Sequence, residues 1–294
     1  MREISLKDVS EIIKLDMIGN NYIINGLNLC NRNSIYDSVL SYVTSIKYIK
    51  YIRKNPSIKA VILPYDIYDF MQNEFPNLSF FVSSCPEEKF YELHTYLYNS
   101  KDFYDNFDFK KIIGNNCLIH GTAIIEDGVI IGDNVTIGQY SVVKKGTIIE
   151  NNTIIGGGSV IGSEGFQLIT DCYGNNTLIK HVGGCKLEEY VYIGNNTTVC
   201  NSLFEDATTI GHHTKIDNLV HIAHNSKIGN NCSLTAGVIL SGSTIIKDNV
   251  WVAPNSTILN KVVLGNKSFV GIGSVVLKNV KENNRVFGNP AKEI

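Results

Sequence analysis

The chain has 294 residues, 44% of them apolar and 18% charged, and its 26 basic and 28 acidic side chains leave a formal net charge of -2. That length holds one large domain or two ordinary ones with a sizeable core, and the near balance of charge excludes a general pull toward nucleic acid or an anionic membrane. The charged first twenty residues lack a signal-peptide apolar block and no later window reads as a membrane span, so a soluble, cytoplasmic protein is expected.

In chain order, residues 1 to about 110 read as a small α/β unit. Ser5 with Asp8 forms a capping box that opens a helix through Leu15. "AVILPY" from Ala60 and "LSFFVSS" from Leu78 read as strands. A helix is expected from Cys85, with Pro86 at its first position and Glu87 and Glu88 in its first turn. "SKDFYDNFDF", 100 to 109, is the natural linker. The basic run "KYIKYIRK", 47 to 54, could meet a diphosphate through Lys47 or Lys50, although a solvated helix face is the plainer reading.

From residue 113 a period of six takes over. Ile113, Ile119, Ile125, Ile131, Ile137, Val143, Ile149, Ile155 and Ile161 follow without a miss, and a second array runs from Ile210 to Val276. Small residues such as Val129, Ser141, Cys232 and Ser256 recur four places after the aliphatic. Such a hexapeptide period marks a parallel β-helix, in which each repeat buries its apolar face only by stacking on its neighbours. More than twenty buried aliphatics at ~1.5–3 kcal/mol each give a rigid prism. The expected fold is therefore mainly β: a β-helix over 111–281, preceded by the small α/β unit and followed by a tail at 282–294. A loop insertion is expected at about 163–186. The spacing of eleven between Val199 and Ile210 reads as two hexads with one residue missing. The seven cysteines form no C-x-x-C pair and read as small apolar residues, not as zinc or redox sites.

Three hexads make one coil, so residues about eighteen apart stack along one edge. His224 takes the third place of its hexad, at a corner, with Gly242 one coil on and Glu205 and Asp206 one coil back. A carboxylate, an imidazole and an exposed backbone N–H on one edge suit acyl transfer: the imidazole takes a proton, the carboxylate fixes its tautomer, and the N–H holds an oxyanion. His221 belongs to a strand and reads as a solvated side chain. A metal cluster of His212, His213, His221 and His224 is disfavoured, because two hexads separate His212 from His224 and put them on different edges. No metal is expected.

"VYIGNNTTVCNSLFEDATTIGHHTKIDNLVHIAHNSKIG", 191 to 229, with "GSEGF" at 162 to 166, resembles the left-handed β-helix N-acyltransferases that act on UDP-3-O-acylglucosamine in lipid A synthesis. "INGLNLC" and "YVTSIKYIKYI" are similar to that family's uridine-binding domain. The resemblance implies an acyltransferase, a homotrimer with active sites between subunits, a nucleotide-linked amino sugar as acceptor, and acyl-CoA or acyl carrier protein as thioester donor. It implies that His224 is the general base, Asp217 an acidic residue of the site and Gly242 the oxyanion donor; whether Asp217 or Asp206 orients the imidazole stays open. It implies that Tyr48 stacks on the uracil, with Ser45 where the family has an asparagine, and that Phe166 of "GFQL" lies near the acceptor sugar. The ending "VFGNPAKEI", 286 to 294, is instead similar to that of hexapeptide acetyltransferases and implies a CoA contact through Lys292 and Asn289. An acetyl-CoA-dependent sugar O-acetyltransferase and a non-catalytic sugar-nucleotide-binding β-helix are the alternatives.

Overall fold

A computed structural model describes residues 3–32, 34–171 and 173–293. They form two compact units, one of residues up to 105 together with 167–182, the other of 106–166 together with 183 onward.

The first unit is built on a five-stranded sheet in the order Met17–Ile18, Ser79–Val82, Ile58–Leu63, Val39–Tyr42, Gly26–Leu27. Only the strand at Met17 is antiparallel; the other four run together. Near-continuous apolar runs such as Ala60–Leu63 suit a sheet buried on both faces. Val39, Val61, Leu63 and Phe80 share a buried cluster with Ile49, Ile52 and Met71 from two helices, α2 (Ile49–Ile52) and α3 (Tyr68–Glu74). The alternate side chains Leu40, Ala60, Ile62 and Phe81 are buried as well. The helix α4 (Pro86–Ser100) packs on the strands Val39–Tyr42 and Ile58–Leu63, and against α1 (Leu6–Ile13). Helix α1 starts as its sequence predicts, the Asp8 N–H donating to Ser5 Oγ at 3.2 Å, but it ends at Ile13, where Lys14 turns left-handed. Residues 167–182 bring this unit an antiparallel hairpin, Leu168–Thr170 with Asn176–Leu178.

The second unit is a three-sided parallel β-helix. Its first face holds eight strands from Ile112–Ile113 to Val263–Leu264, its second ten from Leu118–Ile119 to Lys292–Glu293, and its third eight from Ile124–Ile125 to Val275–Val276. Partners lie 18 residues apart, as in Ile124 with Val142 and His221 with Ile239. From Ile125 onward the hexad aliphatics form one buried column, with Val129, Val135, Cys232 and Val238 beside them. Asn116, Asn134, Asn152, Asn231 and Asn249 take positive φ at the corners, a conformation that asparagine tolerates better than most residues. Along the corner between first and second faces, the Asp133 N–H donates to Asn151 Oδ1 and the Asn230 N–H to Asp248 Oδ1, each at 2.8 Å. The Gly-Asn and Gly-Asp pairs thus tie one coil to the next. Part of the expected linker joins this prism: the Phe107 carbonyl and ring pack on Gly128 and Gly146, where a side chain would collide.

The register corrects one expectation. Thr198 pairs with His221, 23 residues on, in place of 18. The chain therefore passes from Val199 on the third face to Ile210 on the first in one hexad step carrying five additional residues; it is not two hexads short of one. The long excursion after Ser163 also leaves at this corner, since Val160 pairs with Thr198, 38 residues on. Every departure from the period between 111 and 276 falls at the corner between third and first faces.

Candidate functional site

That same corner carries His224 in the next coil and Gly242 in the one after. The imidazole lies flat against Gly242, where an added Cβ would sit 2.7 Å from both Cε1 and Nε2. Only glycine leaves room for the ring. The Ser243 N–H donates to the His224 carbonyl at 2.9 Å and the Lys261 N–H to the Gly242 carbonyl at 3.1 Å, so the ladder holds both residues in register. Among the described residues the Gly242 N–H has no hydrogen-bond acceptor. His224 is half-buried, and its Nδ1 lies 3.0 Å from Asn225 Oδ1. The same oxygen accepts from the Leu203 N–H at 3.1 Å, which fixes it as the amide oxygen. An amide oxygen only accepts, so Nδ1 donates to it, and Nε2 is the nitrogen beside Gly242. The partner of the imidazole is thus a carboxamide on the adjacent residue, which the search of the sequence for a carboxylate missed. The available signal was an asparagine at a corner position directly after the histidine.

The two carboxylates considered for that role are engaged elsewhere. Asp206 lies at this corner but pairs with Lys227 at 2.9 Å, whose ammonium also donates to the Ala207 carbonyl. Asp217 stands at the corner between second and third faces, across the third face from His224, and accepts from the Asn218 N–H at 2.7 Å. His221 sits on the third face, its pKa lowered by partial burial. His212 and His213 occupy the corner between first and second faces, with Nδ1 atoms 3.1 Å apart and His213 stacked on Tyr190. The four histidines therefore do not converge. Phe166, at the start of the excursion, is 77% exposed. Lys292 and Asn289 are exposed, Lys292 on a short strand paired with Arg285–Phe287.

In the first unit, Ser45 and Tyr48 follow the carboxyl end of the strand Val39–Tyr42, the end of an open α/β sheet at which ligands bind. The Ser45 hydroxyl is buried and finds no hydrogen-bond partner among the described residues. Tyr48 is half-buried, with the Lys47 ammonium 5.2 Å from its ring centroid and the Tyr51 ring at 6.4 Å. The composition of this edge, an aromatic face, a cation and an unsatisfied hydroxyl, suits a planar polar ligand carrying negative charge.

Comparison with known proteins agrees with the repeat. The family described as "Bacterial transferase hexapeptide (six repeats)" matches residues 110–145, 132–163 and 207–242. A UDP-3-O-acylglucosamine N-acyltransferase of Campylobacter lari is 37% identical over 127 residues, 43% of this chain and 39% of the relative. Its counterpart in a Caulobacter species is 35% identical over 116 residues, 40% of this chain and 34% of the relative. The matched segment thus spans little more than a third of those relatives. Among solved structures, the UDP-N-acetylglucosamine acyltransferase of Bacteroides fragilis superposes with a TM-score of 0.57 at 23% identity, over 65% of this chain and 71% of that one. The enzyme of the same name from Campylobacter jejuni gives 0.56 at 21%, over 63% and 69%. These likenesses are of fold, and with the repeat they establish a left-handed parallel β-helix behind a small α/β region. Parts of the chain thus match the bacterial-transferase hexapeptide repeat, and over 43% of its length it is similar to a UDP-3-O-acylglucosamine N-acyltransferase.

Proposed function

We propose that the chain is an N-acyltransferase that moves an acyl group from a thioester, acyl-CoA or acyl carrier protein, to the amine of a nucleotide-linked amino sugar, for lipid A or a surface glycan. One observation carries the reading: an imidazole and an open backbone N–H share one corner of the prism, with the ring's Nε2 against Gly242. The amine nitrogen attacks the thioester carbonyl as Nε2 of His224 takes its proton, and the Gly242 N–H holds the resulting oxyanion. Collapse breaks the C–S bond, and the imidazolium returns the proton to the leaving thiolate. The chemistry draws on no metal ion.

In this reading Tyr48 stacks on the nucleotide base, Ser45 Oγ reads its edge, Lys47 meets the diphosphate and Phe166 borders the sugar. Lys292 and Asn289 serve the CoA phosphates if the donor is CoA. A homotrimer completes the site. The third face points Val142, Val160, Thr198, Ile239, Thr257 and Val275 outward and no Lys, Arg, Asp or Glu, which suits a neighbouring prism. Asp217, at the far border of that face, enters the chemistry only from a second copy. Among the described residues no helix is long and apolar enough to cross a membrane.

The test is to incubate the protein with acetyl-CoA and with hydroxyacyl-carrier protein against UDP- and dTDP-amino sugars and to weigh the products. An amide-linked acyl group on one sugar supports the reading; an ester points to the alternative, a sugar O-acetyltransferase; no transfer from either donor overturns both. His224→Ala should lower turnover about 10²–10⁴-fold and leave the melting temperature nearly unchanged.

A further inference from the structure

The loop 201–206 is the one place where the coil carrying His224 differs in chain length from those that follow it. Its five additional residues do not hang in solvent. Ser202 and Leu203 are fully buried and Phe204 is 5% exposed. What they enclose is the side chain of Asn225. The Leu203 N–H donates to Oδ1 at 3.1 Å, and the Asn225 Nδ2 donates to Ser202 Oγ through a short contact. The Asn225 backbone N–H donates to Thr208 Oγ1 at 2.9 Å, and its φ of 59° holds the corner. The Leu203 N–H, which can only donate, therefore fixes Oδ1, and the carboxamide cannot rotate without losing a buried bond, at about 1–3 kcal/mol for a group left unsatisfied.

We infer that Asn225 is a positioning residue that holds His224 as the Nδ1–H tautomer, and that the inserted loop 201–206 serves to hold Asn225. The Nδ1–H form is the minor one of an unconstrained imidazole, so it needs a fixed acceptor. A neutral acceptor has a further consequence: it orients the ring without placing a full negative charge beside it. The tautomer rests on this geometry alone, whereas its catalytic meaning rests on the acyl-transfer reading.

The experiment is long-range ¹H–¹⁵N correlation on protein labelled at histidine, above the imidazole titration, with His224 assigned by difference from His224→Gln. The wild type should show His224 protonated at Nδ1 and unprotonated at Nε2. Asn225→Gly, which tolerates the left-handed corner, should revert the ring to the Nε2–H form. Asn225→Asp should keep Nδ1–H and raise the titration midpoint by about one to two units, because a carboxylate favours the imidazolium. A wild-type ring protonated at Nε2, an Asn225→Gly ring that stays protonated at Nδ1, or an unmoved midpoint in Asn225→Asp would each overturn the inference. With an active donor and acceptor pair, Asn225→Gly should lower kcat on the order of 10²-fold with KM little changed; an unchanged kcat would overturn the role. Absence of transfer by the wild type defeats the functional reading and leaves the tautomer result standing.

Discussion

At the scale of single residues, the histidines divide by what their nitrogens meet. His94, on α4, is fully buried, its Nδ1 2.7 Å from Tyr104 Oη and its Nε2 2.9 Å from the Lys180 carbonyl. The carbonyl can only accept, so Nε2 donates to it, and Nδ1 accepts from the Tyr104 hydroxyl. Burial pushes the imidazole down to about 4 from an ordinary 6.5. Above pH 6.5 both folded and unfolded forms are neutral and the contact is intact. As pH falls from 6.5 toward 4 the unfolded chain binds a proton that the folded one refuses, so stability drops, by about 3 kcal/mol across the window. Urea unfolding of the wild type should weaken along that acid limb, and His94→Gln should be less stable at neutral pH but flatter below 6.5. Equal slopes for both proteins would exclude His94 as the cause. Neither this residue nor Asn225 was legible in the sequence. A buried histidine on an amphipathic helix looks like any polar interruption, and an asparagine beside a histidine is overlooked when a charged partner is sought.

Elements show the reverse. The hexad assigned the inward and outward side of almost every strand, because one dyad places one side chain in the column and its neighbour outside. Ile246 is buried to 1% and Ile245, its neighbour, is 37% exposed. Ile246→Ala should cost about 2–5 kcal/mol as a cavity in the column, and Ile245→Ala a fraction of that, readable as the difference in denaturant midpoint. What counting could not settle was the segment from Val199 to Ile210. Twelve less one and six plus five give the same spacing, and only the pairing of Thr198 with His221 separates them. The error mattered little for His224 itself, whose distance to Gly242 is one unbroken coil. It hid the loop that surrounds Asn225. The hairpin 167–182 was likewise legible as a break in the period but not as a hairpin grouped with the first unit, since nothing in its polar, glycine-bearing sequence names its packing partner.

For the whole molecule, the proposed trimer makes the outward third face a buried one. Ile239, 44% exposed in the single chain, lies on the same face as His221 and one strand from His224. Ile239→Glu should reduce the mass seen by light scattering from three times 32.6 kDa to one, with the circular dichroism of the prism retained. A wild-type protein already monomeric at micromolar concentration would remove the trimer and with it any role for Asp217. Gly242→Ala addresses the corner in either state: the added methyl would meet the imidazole at 2.7 Å and displace it, and transfer should fall about as far as in His224→Ala although the backbone N–H is kept.

Since all the supernumerary residues exit at a single corner, the remaining two can repeat without interruption, and the prism behaves as a ruler graduated in steps of 18. Rungs beyond Gly265 could be added or taken away in whole steps while the spacing of ring, amide and loop between 201 and 243 stays as it is. The length of the rod can thus be set independently of the corner at which ring and amide meet.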